Sequence, residues 1–261
     1  MADFSDRDSA TAGLSTNLTT GNPVFGLYMP DGIAAYQANG QTYYVIANEG
    51  DARNDFIKAL VAGGSYQALV GSGSYLTDET IRVSDSKYVL DAAAFPSAAA
   101  LKANAKLGRL GVSHAPGLRG DIDGDGDVDK ILTYGARSFS ILDASGAIVY
   151  DSGDLIERAM ALRGLPYFDD DRSDNKGPEP EGVTVGSIGG RSYAFVSLER
   201  SYGVIAFDIT NPLSATYAGF ATSAGTSATL KNSASTAAPA DVNPEGVLFV
   251  AADRSPNGTD L

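Results

Sequence analysis

Short runs of β-branched and aromatic residues, separated by turn-forming residues, dominate the pattern of hydrophobic and polar positions along the 261-residue chain. Glycine, asparagine, aspartate or proline bounds each run, as is usual for strands joined by tight turns. The pattern predicts strands over Tyr43–Ala47, Lys130–Tyr134, Ser138–Leu142, Ala147–Tyr150, Ser192–Leu198 and Gly203–Ile209. Asp143–Gly146 is predicted to form the hairpin turn between two of these strands. The predicted fold class is therefore all-β.

Two short segments have the composition of helices instead. Ser97 precedes an alanine-rich run that extends to Lys106, and Asp154 precedes a run that extends to Leu162. Serine and aspartate are preferred N-cap residues, and Gly164 is suited to end the second helix. Residues 222–239 are rich in alanine, serine and threonine without a period, and they are predicted to form a flexible loop.

A tetrapeptide motif of proline, an acidic residue, glycine and a β-branched residue occurs three times, at Pro30–Ile33, Pro180–Val183 and Pro244–Val247. In the first two copies a glycine, a tyrosine and a glutamate follow at identical offsets, and these pairs are Gly40 and Gly190, Tyr43 and Tyr193, Glu49 and Glu199. Identical offsets predict a repeated strand–turn–strand unit, which is typical of β-propeller blades. Recurrent hairpins in a β-sandwich are the alternative.

The third copy begins at Pro244, and the chain ends at Leu261 without a returning strand. We therefore expect residues 1–261 to form one propeller-like domain that is incomplete at both ends. A sheet with an unpaired edge pairs readily with further strands. Another chain, or a further segment of this one, is expected to complete the sheet.

The charge balance restricts the class of ligand. The chain has 32 acidic and 19 basic residues, a net charge of −13. Such a surface repels nucleic acid and suits divalent cations. The absence of cysteine excludes disulfides, thiolate zinc sites and cysteine nucleophiles. The single histidine, His114, excludes a multi-histidine metal site within one chain, and no serine nucleophile motif accompanies it.

The sequence also bears on location. It contains no apolar run long enough to span a membrane. Residues 1–6 lack the basic and apolar regions of a signal peptide. The chain is therefore either cytosolic or an excerpt of a longer exported protein.

The segment Asp121–Asp129 has the pattern of a calcium-binding loop. Aspartates alternate along it, and Gly126 occupies the sixth position, where the loop must turn sharply. Calcium prefers several hard oxygen ligands, which a tightly wound loop can present to one centre. Leu132 takes the place of the final EF-hand glutamate, and a strand follows, as in hairpin loops of calcium-binding propellers. The predicted ligands are the side chains of Asp121, Asp123, Asp125 and Asp129 and the backbone carbonyl of Asp127.

A second set of charged residues lies at the ends of the repeats. If the repeats are blades, these ends converge on one face and can bind a cation and an anionic ligand together, as metal-assisted phosphoester hydrolysis requires. Salt bridges between blades are the alternative. The candidate catalytic carboxylates are Glu49, Asp51, Glu181 and Glu199, and the candidate ligand-binding residues are Arg53, Arg172, Lys176 and Arg200.

Several of these segments resemble the choice-of-anchor I family. The resemblance rests on Tyr28–Gly32, Ala47–Arg53, Gly135–Ile141, Lys176–Gly182 and Leu198–Arg200, and it extends over nearly the whole chain. It implies a β-propeller fold and a secreted, periplasmic or cell-surface location. It also implies a relationship to mesenchyme-specific cell-surface glycoproteins and to some proteins described as atypical alkaline phosphatases.

Two functional hypotheses follow. The first is a non-catalytic, calcium-stabilised surface module for adhesion, scaffolding or mineral contact. The second is a calcium-dependent phosphoesterase that resembles alkaline phosphatases or β-propeller phytases, with a phosphate or phosphoester ligand. Convergence of the repeat-end charges in one cleft, with a second metal, would favour the second hypothesis.

Overall fold

The computed structural model of the chain describes residues 2–5, 18–52, 79–115, 117–164, 166–222 and 243–261. Strands predominate in these residues, and the helices are short. The strands are β1 Val24–Leu27, β2 Gly32–Ala38, β3 Gln41–Asn48, β4 Thr80–Arg82, β5 Gly111–Ser113, β6 Ile131–Tyr134, β7 Ser138–Asp143, β8 Ile148–Asp151, β9 Pro180–Ile188, β10 Arg191–Leu198, β11 Gly203–Asp208 and β12 Thr216–Ala221. The α-helices are α1 Ala98–Leu101 and α2 Leu155–Arg163.

Two four-stranded antiparallel sheets form the larger part of the fold. Their strand orders are β2-β3-β7-β8 and β9-β10-β11-β12, so each begins with a hairpin of two consecutive strands. The hairpins turn at Gly40 and Gly190, both with positive φ, and Tyr43 and Tyr193 lie in the returning strands. The structure thus confirms the repeated strand–turn–strand unit.

The two sheets pack against each other through a shared hydrophobic core. Strands β2 and β3 contact β9, and the rings of Phe139 in β7 and Phe207 in β11 lie 4.5 Å apart. Helix α2 adds Ile156 and Met160, which are fully buried in the same core. These two side chains anchor α2 to the core that the two sheets share.

A second core lies beside the first. It forms around the parallel pair β1–β6, the antiparallel pair β4–β5 and the buried Phe4 of the N-terminal segment. Sequence reasoning missed β1, β4, β5 and β12. Each of the first three is only three or four residues long, and β12 contains a glycine and two alanines, so none has a distinctive run of strand-forming residues.

The three motif copies lie side by side at their glycines. A Cβ atom at Gly32 would come within 2.8 Å of Glu181 O, and one at Gly182 within 2.4 Å of Glu245 O. Gly182 N donates to Glu245 O at 2.9 Å, and Ser197 Oγ donates to the same oxygen at 2.6 Å. The first two copies therefore require glycine, because each approaches the next copy through its backbone, whereas a Cβ atom at Gly246 would meet nothing within 4 Å.

The helix predictions hold in different degrees. Helix α2 begins after Asp154 and ends at Arg163, directly before Gly164, close to the predicted bounds. Helix α1 begins after Ser97 but ends at Leu101, because the chain then turns to bury Leu107 in the second core. Beyond Thr222, the loop predicted over residues 222–239 lies outside the described residues.

The fold is all-β in class, as predicted, with only the two short α-helices among the described residues. None of the four sheets in this part of the chain is closed, so the propeller stays a prediction. In the same residues, no helix has both the length and the apolar character needed to cross a bilayer.

Candidate functional site

A polar cleft of about 640 Å³ lies where the repeats end. Charged side chains form most of its wall. The acidic ones are Asp31, Glu49, Asp51, Glu179, Glu181, Glu199 and Glu245, and the basic ones are Arg172, Lys176 and Arg200. The cleft therefore has an excess of negative charge together with a compact group of cations.

The repeat itself places carboxylates here from two kinds of position. The acidic residue of the motif, directly before the motif glycine, lines the cleft in all three copies, as Asp31, Glu181 and Glu245. The residue directly after the returning strand lines it in two copies, as Glu49 after β3 and Glu199 after β10. Equivalent positions in packed repeats face the same space. The acidic residues at these positions therefore form one cluster in the cleft.

Asp31, Glu49 and Glu181 form one group that could hold a metal ion. One carboxylate oxygen from each lies within 4.8 Å of the other two. Glu49 and Glu181 are each only 9% exposed, whereas Asp31 lies at the solvent side. Three hard oxygen donors at this separation suit a divalent cation such as calcium.

Glu181 is the most perturbed carboxyl of the group. Burial, together with the negative charges of Glu49 and Glu199, raises the pKa of Glu181 to about 8. Burial also raises the pKa of Glu49 and of Glu199. Within the described parts of the chain, no lysine or arginine pairs with Glu181. A buried carboxylate without a basic partner is costly, and a bound cation would remove that cost.

The three cations are organised around Glu179, which is fully buried and has a positive φ of 54°. Arg172 pairs with Glu179 Oε1, Arg200 Nε lies 3.4 Å from the same oxygen, and Lys176 Nζ lies 3.3 Å from Oε2. Burial alone would raise the pKa of Glu179, but Arg172 and Lys176 more than offset it and lower the pKa. Glu179 also lies near Glu181 and Glu199 in a second possible metal group. Because Glu179 already has three basic partners, the group of Asp31, Glu49 and Glu181 is the better cation site.

Lys176 joins the acidic and basic sides of the cleft. Its ammonium pairs with Glu49 Oε1 and lies 3.4 Å from Asp51 Oδ2, in addition to its contact with Glu179. The carboxylates of Glu179 and Glu49 raise the pKa of Lys176 although burial opposes them, so the lysine stays charged. The cleft thus has a fixed positive charge beside the candidate cation site.

Most of the predicted repeat-end residues meet in this cleft. Glu49, Asp51, Glu181, Glu199, Arg172, Lys176 and Arg200 all line it. Arg53 lies outside the described residues. Sequence reasoning did not single out Asp31, Glu179 or Glu245. The acidic position of the repeated motif could have identified Asp31 and Glu245, whereas nothing in the repeat distinguishes Glu179.

The loop Asp121–Asp129 lies apart from the cleft. Carboxylate oxygens of Asp121, Asp123 and Asp129 lie within 4.8 Å of one another, so three of the predicted ligands come together. Asp125 instead accepts a hydrogen bond from Asp127 N at 3.1 Å. Asp121 accepts from Gly124 N at 2.8 Å and from Gly126 N at 3.1 Å, which winds the loop tightly.

Comparison with known proteins identifies relatives of the chain. The choice-of-anchor I domain matches residues 1–212. Gigasin-3a of Magallana gigas is 38% identical to the chain over 112 residues, which cover 37% of this chain and 38% of that protein. No solved structure matches the chain. Since the domain match extends over most of the 261 residues, the chain belongs to the choice-of-anchor I family.

Proposed function

We propose that this chain is part of a secreted or cell-surface protein that binds a divalent cation, calcium in the first place, together with a phosphate-bearing ligand in the cleft. The observation that carries the proposal is the presence of both a buried acid and a group of cations in one cleft. Glu181 is buried among carboxylates without a basic partner in the described residues, and Arg172, Lys176 and Arg200 line the same cleft. Family membership supports the surface location.

The cation half of the site would consist of Asp31, Glu49 and Glu181. Their oxygens are close enough to share one ion, and two of the three side chains are buried. Burial favours binding because Glu181, which has no basic partner in the described residues, is costly to ionise without the ion. Calcium is preferred among divalent ions because the donors are all carboxylate oxygens, with no histidine or cysteine nearby to favour zinc.

The anion half would consist of Arg172, Lys176 and Arg200. Their side chains are 30%, 18% and 35% exposed, so each is accessible from the cleft while part of it stays buried. Guanidinium groups recognise phosphate oxygens through paired donors, and a nearby divalent cation strengthens the attraction.

The hydrolysis of phosphomonoesters at the same site is the second candidate, favoured by the position of Glu199. A carboxylate oxygen of Glu199 lies within 4.8 Å of one of Glu181, and burial raises the pKa of Glu199, as is common for carboxyl groups that act as general bases. A bound divalent cation would supply the acidification of a water molecule. Glu199 would accept the proton of that water as its oxygen attacks phosphorus, and Arg172 would neutralise the phosphoryl oxygens. The P–O bond to the alcohol breaks, and the departing alkoxide takes a proton from solvent.

We also propose that Asp121–Asp129 binds Ca²⁺ in a structural role. The three clustered carboxylates and the backbone hydrogen bonds that wind the loop support this.

The two four-stranded sheets are proposed to be neighbouring blades of a propeller, since their first strands contact each other and the third motif copy packs beside the second.

Calcium titration with and without inorganic phosphate tests the cleft. The Asp123→Ala/Asp125→Ala variant serves as the background, because it removes the loop site and leaves the cleft intact. We expect saturable calcium binding that phosphate tightens, and we expect Asp31→Asn to abolish it. Asp253→Asn is the matched control, since Asp253 is exposed and lies outside the cleft. Unaltered calcium binding after Asp31→Asn would refute the proposed cation site. A p-nitrophenyl phosphate assay on the same proteins separates hydrolysis from binding alone.

A further inference from the structure

Arg137 lies fully buried behind the cleft, in a left-handed backbone conformation with φ 57°. Its guanidinium group has partners on three separate segments of the chain. Nη1 donates to Glu157 Oε1 of helix α2 at 3.1 Å and also to the carbonyl of Asp3. Nη2 donates to the carbonyls of Ser173 and Asn175, each at 2.8 Å. One side chain thus ties helix α2, the N-terminal segment and the loop before β9 together.

The loop that Arg137 holds, residues 173–177, carries Lys176 into the cleft. Arg137 binds the carbonyls on either side of Asp174. The carboxylate of Asp174 lies 2.9 Å from Arg82 Nη1 and 3.1 Å from Arg109 Nη2. A Cβ atom on Gly177 would come within 3.2 Å of the Arg137 guanidinium, so the loop lies directly on it. The position of Lys176 therefore depends on arginines outside the loop.

The N-terminal segment, residues 2–5, closes the other side of Arg137. Its four residues are all buried. Asp3 N donates to Glu157 Oε2 at 2.7 Å, and the ring of Phe4 lies 4.5 Å from the Arg137 guanidinium carbon. Asp3 Oδ2 accepts from Thr19 N at 3.0 Å, which anchors the segment to the chain that leads into β1. Without this segment, Arg137 would lose a carbonyl acceptor and its aromatic neighbour.

We propose that Arg137 is a positioning residue for the anion half of the cleft, that it acts through Lys176, and that residues 2–5 complete its binding pocket. A buried guanidinium keeps its position only while its acceptors surround it, because an uncompensated buried charge is strongly destabilising. Displacement of residues 2–5 would let Arg137 shift, and the carbonyls of Ser173 and Asn175 would shift with it. Lys176 would then lose its alignment with Glu49 and Glu179. The ligand-binding part of this inference rests on the proposed function; the control of Lys176 by Arg137 does not.

Acylation of lysine side chains, followed by mass spectrometry, tests this control without any ligand. Lys176 is only 18% exposed and is paired in the cleft, so it should react slowly in the wild type. We expect Phe4→Ala and Arg137→Lys to accelerate its acylation severalfold, while exposed Lys106 reacts at an unchanged rate. Ile205→Ala, in the first core, controls for general loss of stability. If Arg137→Lys fails to fold, Phe4→Ala alone decides. An unchanged Lys176 rate in folded Phe4→Ala refutes the proposal, as does equal acceleration in Ile205→Ala.

Phosphate affinity in the presence of calcium then tests the link to function. Phe4→Ala should weaken phosphate binding severalfold in the wild type and have no further effect in a Lys176→Ala background. Additive effects in the two backgrounds would refute action through Lys176. If the wild type binds no phosphate while Lys176 acylation responds as expected, the proposed function fails and the positioning role of Arg137 stands.

Discussion

Glu49 directly follows β3, Glu199 directly follows β10, and both carboxylates line the same cleft. Their equal offsets from the motif glycines predicted a common face, and the structure confirms it. Each also pairs with a cation: Glu49 with Lys176, and Glu199 with Arg200 at 2.9 Å. The partner of Glu49 lies 127 residues away in the sequence, so the pairing depends on the tertiary fold.

Glutamine substitutions at these two positions should separate ligand binding from sheet stability. We expect both Glu49→Gln and Glu199→Gln to weaken calcium-dependent phosphate binding, since each removes a negative charge from the cleft. Neither is expected to lower the melting temperature strongly, because glutamine keeps the size and most hydrogen bonds of glutamate. Calorimetric titration and thermal melts measure the two properties. Reduced stability with unchanged affinity per folded molecule would mean that the carboxylates only hold the repeats together.

The sequence predicted the part of the fold that depends on local patterns. Short runs of β-branched and aromatic residues identified β3, β7 and β10, and the repeat ends pointed to Glu49, Asp51, Glu181 and Glu199 among the acidic residues of the cleft. The buried network of Arg137 could not be predicted. Its contacts join Asp3 to Glu157, 154 residues apart, and no local pattern encodes such a distance. Glu179 was missed for the same reason, because three cations from a neighbouring loop and strand end determine its role.

Glu181→Gln should stabilise the protein in the absence of metal while removing cation binding. Glu181 is buried beside Glu49 and Glu199, and a neutral amide avoids both the desolvation and the repulsion that a carboxylate suffers there. We expect a higher melting temperature in chelator and a smaller calcium-induced shift than in the wild type. Asp253→Asn, at an exposed position outside the cleft, should change neither value appreciably. A lower melting temperature in chelator would contradict the repulsion argument.

The loop Asp121–Asp129 should make the melting temperature depend on calcium. Binding to the native state alone stabilises it by about 2.7 kcal/mol when the ion is at a hundredfold excess over Kd. We expect Asp123→Ala/Asp125→Ala to abolish the part of the calcium-induced shift that survives Asp31→Asn in the cleft. Replacement of the exposed Asp253 by alanine is the control. An undiminished shift in the double variant would show that the loop does not bind calcium.

The N-terminus of helix α2 should weaken in acid. Arg158 Nη2 donates to Asp154 Oδ2 at 2.8 Å and lowers the pKa of Asp154 from 3.8 to about 2. The carboxylate of Asp154 thus binds a proton more weakly in the folded state than in the unfolded state. Its contribution to the free energy of unfolding is complete above pH 3.8 and disappears as the pH falls through about 2. Urea unfolding across this window should show a steeper loss for the wild type than for Asp154→Asn. The difference should be small, since Arg158 is 53% exposed, and equal slopes would contradict the prediction.

Gly135→Ala should disrupt the cleft by displacing the backbone of Glu49. Gly135 has φ 78°, and a Cβ atom there would lie 1.6 Å from Glu49 O, which cannot be accommodated unless the backbone of Glu49 moves. Gly146 is the matched control, because it has φ 85° in a hairpin turn and nothing within 4 Å of its Cβ position. Gly146→Ala should lower the free energy of unfolding only by the cost of a left-handed backbone at alanine, about 1–2 kcal/mol. Gly135→Ala should lose clearly more stability and also weaken calcium-dependent phosphate binding. Urea unfolding and titration measure both effects, and equal losses in the two variants would mean that the contact with Glu49 does not constrain the site.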